Sequence, residues 1–156
     1  MNRTVVHDTF VIDRTYAASP ARVFTAFADR ATKLRWFSDP DIETNQEHEL
    51  DFRVGGRESM RGTAGQDGPK FTYDALYQDI VDGARIVYSY EMTMDGKRIS
   101  VSVATLEFYA ADAGTRLILT EQGAYLDGLD TREAREHGTN ELFNSLGRYL
   151  EDGARS

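Results

Sequence analysis

Between Leu50 and Tyr125 the chain alternates side chains with period two, and turn dipeptides cut the alternation into six runs. The cuts fall at Gly55-Gly56, Asp67-Gly68-Pro69, Asp82-Gly83, Asp95-Gly96 and the Ala-Asp-Ala-Gly stretch that ends at Gly114. Asp-Gly between alternating segments is the strongest short-range hairpin signal a sequence carries. The runs LDFRV, RESMRG, FTYDALYQDIV, ARIVYSYEMT, RISVSVATLEFY and TRLILTEQGAY are therefore expected to form an antiparallel meander. One more strand, HDTFVIDRTY, precedes them.

Two short helices follow that first strand. Ser19 suits an N-cap and Pro20 the first helical position, with Val23, Phe24 and Phe27 at helical spacing behind them. ATKLRWF reads as the second helix, stopped by SDPD; Asp39, Asp41 and Glu43 beyond it read as a solvated loop. After the meander the pattern changes to 3.6, with Leu142, Phe143, Leu146, Tyr149 and Leu150 on one helical face. A sheet with one apolar face needs a cover, and this terminal helix is the element long enough to supply it. The expected fold is α+β: a curved antiparallel sheet of about seven strands gripping a C-terminal helix, with two short helices after the first strand. At 156 residues, without repeats or a linker, the chain reads as one domain, 1–156.

The excess of 26 acidic over 18 basic residues gives a formal charge of −8. Such a field disfavours nucleic acid and anionic lipid as partners. With no cysteine, disulfides, thiolate metal sites and cysteine nucleophiles are excluded. No run approaches the roughly 18 apolar residues of a membrane span, and MNRTVVHDTFVIDR lacks a signal-type core. A cytoplasmic location without membrane insertion is the expectation. His7, His48 and His137 are not at metal-ligand spacing and read as surface residues. No phosphate loop or nucleophile elbow occurs. Neither a metal nor a cofactor is expected, and the balance of these searches is against an enzyme.

Four stretches carry a resemblance: SPARVFTAFADRATKLRWFSDP, LDFRVGGRES, GTRLILTEQGAYLDG and HGTNELFNSLGRYL. They resemble the helix-grip superfamily, which includes the lipid-transfer START domains and the birch-pollen allergen. The closer match is its branch named after the heat-shock-protein-90 ATPase activator. Two positions depart from that branch: Thr139 follows Gly138 where the branch often has Trp, and Glu121 stands where it often has His. The resemblance implies a cavity between sheet and helix that holds a small apolar or amphipathic molecule. The side chains expected around it are Trp36, Phe52, Met60, Tyr73, Tyr88, Tyr90, Met92, Phe108, Glu121, Tyr125, Phe143 and Leu146. It also implies that the first strand lies beside the last. Near a register of 14 to 121, Arg14 would then face Glu121 as an interior ion pair, which Glu58 could join.

Three functions follow as expectations. The first is a small-molecule binding protein. The second is a partner-binding module of the chaperone-activator kind. The third is a cyclase- or hydratase-like enzyme, for which Glu121 with Tyr88 or Tyr90 would have to supply acid–base chemistry. Exposed sheet edges also make a homodimer an open expectation.

Overall fold

A computed structural model describes residues 3–37 and 43–154. The chain runs β1 (Val5–Tyr16), α1 (Pro20–Ala28), α2 (Arg30–Phe37), β2 (Glu43–Leu50), β3 (Arg57–Ala64), β4 (Lys70–Val81), β5 (Arg85–Met94), β6 (Lys97–Ala111), β7 (Gly114–Leu126) and α3 (Arg132–Ala154). The strands form one seven-stranded sheet in the order β1-β7-β6-β5-β4-β3-β2. Every neighbouring pair is antiparallel. Register shifts interrupt β2/β3, β4/β5 and β5/β6. An extra residue on one strand bends it and raises its twist, which curves the sheet around its inner face.

The turn chemistry explains the meander locally. Asp95 and Gly96 both have positive φ, 51° and 80°, the requirement of the two-residue turn that matches strand twist. Gly114 is needed for another reason: a Cβ there would lie 2.4 Å from the Tyr16 carbonyl oxygen. The β1 end of the sheet closes only over a glycine.

The helices are fixed by their ends. Ser19 Oγ accepts from Arg22 N at 3.2 Å and caps α1. Asp29 accepts from Thr32 N at 3.0 Å and so caps α2 as α1 stops. α3 lays Phe143, Leu146 and Leu150 into the concave face, all buried. Tyr16 locks it there by donating its hydroxyl to the Phe143 carbonyl, 2.9 Å away. Arg22 donates to the Leu150 carbonyl at 2.7 Å, tying α1 to the end of α3. This is the helix-grip arrangement of a curved sheet around one long helix.

Two expectations change. The second strand is Glu43–Leu50, one segment earlier than LDFRV, so Glu43 begins a strand. Residues 51–56 instead form the turn, in which Gly55 N donates to the Tyr77 carbonyl at 2.9 Å. Period two could not reveal β2, because ETNQEHEL has hardly an apolar residue to alternate. The expected SDPD stop and the loop at Asp39 and Asp41 lie outside the described residues.

Candidate functional site

A cavity of about 430 Å³ lies between the inner face of the sheet and α3, with α2 at one end. Its wall is aromatic and thioether: Trp36 and Phe37 from α2, Met60 from β3, Tyr73 from β4, Tyr88, Tyr90 and Met92 from β5, and Phe143 from α3. Alternation places each of the strand residues inward. Trp36 is held by donating its indole N–H to the Ala26 carbonyl at 2.9 Å. Tyr73, Tyr88 and Tyr90 form a tilted stack, with centroids 5.0 Å apart for Tyr73–Tyr90 and 5.9 Å for Tyr88–Tyr90. Burial holds all three phenols well above their ordinary pKa, so they stay neutral donors.

Of the expected wall, Trp36, Met60, Tyr73, Tyr88, Tyr90, Met92, Glu121 and Phe143 face this cavity. Four do not. Phe52 packs edge-on to Phe24 and Tyr77, and Phe108 packs against Phe24 and Phe27. Leu146 is fully buried beneath α3. Tyr125 points inward but lies under the Arg135 guanidinium, 6.0 Å from its ring centre.

Glu121 is 2% exposed and shares the inner face of β7 with Leu117 and Leu119, as its phase requires. Its surroundings differ from the expected ion pair. β1 and β7 pair Phe10 with Glu121 and Arg14 with Leu117. Arg14 reaches α3 instead, donating to Asn140 Oδ1 at 2.8 Å and Asn144 Oδ1 at 2.5 Å. The polar neighbours of Glu121 are Tyr90 and Arg135. Tyr90 donates to Glu121 Oε2 at 2.7 Å, and Arg135 Nη1 donates to the Tyr90 hydroxyl at 2.8 Å. Arg135 Nη1 itself stands 3.9 Å from Oε2. The other guanidinium nitrogen bonds Ser100 Oγ at 2.7 Å and pairs tightly with Asp130.

The sheet makes room for this cluster with small residues. Opposite Tyr125, Gly123 and Glu121 on β7 stand Ser100, Ser102 and Ala104 on β6. Ser102 lies near enough to Glu121 to favour its charge, yet its hydroxyl makes no hydrogen bond of good geometry among the described residues. Burial raises the Glu121 pKa above its ordinary value, and this outweighs the Tyr90 hydrogen bond and the Arg135 charge, which lower it.

Glu58 belongs to a separate cluster. Its carboxylate takes Lys33 Nζ at 2.5 Å, His48 Nε2 at 2.8 Å and the Tyr77 hydroxyl at 3.2 Å. Burial pushes its pKa up, but the Lys33 charge and the hydrogen bonds from His48 and Lys33 overcome that and hold it below the ordinary value. His48 is therefore buried as the partner of Glu58 rather than set on the surface. Among the described residues, no group of His, Asp and Glu has the arrangement of a metal site.

Phe27, Phe37, Phe71, Leu119 and Leu142 also line the cavity outside the expected wall, and so do two buried cations, Lys33 and Arg135. Both cations were reachable by extending a stripe. Arg135, Thr139, Leu142, Leu146 and Leu150 recur at three to four residues along α3, and Lys33 sits one turn before Trp36 and Phe37 on α2. Their positive charge masks the two cations in a hydrophobic pattern.

The comparisons agree with this architecture. The chain is similar to the Mll3558 protein of Rhizobium loti, at 47% identity over 94% of this chain and 99% of that one, with a TM-score of 0.87. It is similar to an uncharacterized protein of Rhizobium leguminosarum, at 39% identity over 97% and 99%, with a TM-score of 0.89. An AHSA1-like protein of Aeromonas hydrophila shares the fold, at 16% identity over 96% of each chain and a TM-score of 0.68. No curated protein matches. Among the described residues no helix is long and apolar enough to cross a membrane. The sequence model "Activator of Hsp90 ATPase homolog 1-like protein" matches residues 17–151, and the chain belongs to that family.

Proposed function

We propose that the protein binds a small amphipathic molecule in the cavity between sheet and α3. The observation that carries this reading is the contrast within one wall. About 430 Å³ of space is bounded by aromatic and methionine side chains, while one end carries Glu121, Tyr90 and Arg135 in a connected set. Protein interiors are otherwise close-packed, with few voids larger than a water molecule. Ligand pockets typically span about 300–1,000 Å³, mostly apolar with a few placed polar groups. The apolar wall supplies affinity by burial, and the polar end supplies orientation.

The test uses N-phenyl-1-naphthylamine, a neutral fluorescent probe, together with native mass spectrometry of the purified protein. Trp36 is the sole tryptophan and stands on the wall, so a dye in the cavity quenches it by energy transfer. Leu142→Trp fills the cavity from α3 and should abolish the dye's emission enhancement in a protein with an unchanged circular-dichroism spectrum. Equal dye binding by Leu142→Trp would place the dye elsewhere and overturn the proposal. Binding only of a partner protein, with no small molecule or dye retained, would favour the chaperone-activator reading instead.

A further inference from the structure

The cluster at the polar end has a fixed direction. A guanidinium carries donors and no acceptor, so Arg135 must donate to the Tyr90 oxygen across their 2.8 Å contact. The single phenol proton of Tyr90 is then free for Glu121 Oε2, 2.7 Å away. Every donor in the chain points one way, from Arg135 through Tyr90 to Glu121. Among the described residues the well-formed side-chain hydrogen bond to Glu121 is the one Tyr90 gives to Oε2, and Ser102 lies close by without one of good geometry. This carboxyl group lines the cavity.

Among the described residues no cation donates a hydrogen bond to Glu121, and the ion pair from Arg135 is a long one. Arg135 gives its close ion pair to Asp130 and stays 3.9 Å from Glu121. Lys33, across the same cavity, is committed to Glu58 at 2.5 Å. Asp130 adds a second negative charge nearby, and the remaining groups around Glu121 are neutral: Tyr73 on β4, Tyr88 on β5, Tyr125 on β7, Ser102 on β6, and Phe10 paired to it from β1. An ionised carboxylate here would set its charge against largely aromatic walls, with one hydrogen bond from Tyr90 and its nearest cation 3.9 Å away, a costly state. Burial favours the protonated form in the same direction.

We propose that Glu121 stands in the cavity as the neutral carboxylic acid and donates its Oε1 proton to a carbonyl oxygen of the ligand. This rests on the binding reading above and names its ligand class: apolar molecules with an oxygen acceptor at one end. The chain from Arg135 polarises each donor in turn toward that oxygen. Ligands whose polar end is only a donor gain nothing from it.

Two measurements test this. The first is the infrared difference spectrum of ligand-free wild type minus Glu121→Gln at pH 7. A carboxylic-acid C=O band supports the proposal, and a carboxylate band overturns it whether or not any ligand binds. The second compares two probes in the cavity. The ketone 6-propionyl-2-(dimethylamino)naphthalene has an acceptor and no donor, whereas N-phenyl-1-naphthylamine has a donor and no oxygen. Glu121→Met should weaken the ketone about tenfold and leave the amine unchanged, and Glu121→Gln should restore part of the loss. The ketone's own C=O stretch should fall in frequency on binding wild type, and not on binding Glu121→Met. Equal losses for both probes, or an unshifted ketone stretch, would overturn the inference. If neither probe binds, the cavity reading fails and takes this one with it. Binding of the amine beside a carboxylate band defeats this inference alone.

Discussion

Glu58 and Glu121 are both nearly inaccessible, yet replacing each carboxyl by an amide should have unequal consequences. Glu58→Gln keeps the shape of the side chain and removes its charge. Lys33 and Tyr77 both converge on Oε1 and His48 on Oε2, so an amide can still satisfy part of this geometry. The Lys33 ammonium, 6% exposed, is then buried without a counter-ion. Breaking a buried pair from one side typically costs about 3–5 kcal/mol. At roughly 2–4 °C per kcal/mol for a chain of this size, the melting point should fall by about 6–20 °C. Glu121→Gln replaces a neutral acid by a neutral amide of the same shape that can still accept from Tyr90, and should cost under about 1 kcal/mol. The assay is urea unfolding at pH 7, followed by Trp36 fluorescence and circular dichroism. The double variant Glu58→Leu, Lys33→Met should recover most of the loss, because removing both members of a buried pair is often nearly neutral.

The pH dependence separates the two residues again. The folded-state pKa of Glu58 is lowered from 4.5. Its stabilising contribution is therefore present above 4.5 and lost as pH falls through the folded value. The folded-state pKa of Glu121 is raised from 4.5. Its contribution is fully present below 4.5 and lost as pH rises through the folded value. Glu58→Gln should flatten the acid side of the stability profile, and Glu121→Gln the side above 4.5. Equal losses for the two variants at pH 7, with parallel pH profiles, would refute this account of the interior.

Leu146→Ala should cost about 2–5 kcal/mol, since the side chain is wholly buried under α3 and its removal leaves a cavity; an unchanged urea midpoint would mean that the sheet does not grip the helix. Arg14→Met and Glu121→Gln should be additive within about 0.5 kcal/mol in a double-mutant cycle, because Arg14 binds Asn140 and Asn144 rather than Glu121. Strong coupling between them would contradict the β1–β7 register.

Most of the sheet is legible in the chain because its information is local. Period two fixes which side chains of β7 face inward, and it correctly puts Glu121 in line with Leu117 and Leu119. Turn residues with positive φ fix where strands reverse. The helical stripe of α3 and the caps of α1 are equally local, and so is the aromatic face of β5. β2 is the exception that follows the same rule: His48 is buried by a bond to Glu58 ten residues away, and nothing in ETNQEHEL announces it.

What the sequence by itself determined was therefore the element order, the inward phase of the strands other than β2, and the placing of a carboxyl group on an apolar face. The tertiary structure alone decided which group answers that carboxyl. β1 and β7 are joined by no turn, so nothing local sets their register. Pairing of β1 along the β7 edge places Phe10, not Arg14, beside Glu121. Arg135 arrives from α3, and its position depends on how the helix docks across the curved sheet. A side chain's phase is a property of its own strand, whereas its partner depends on how distant elements pack together.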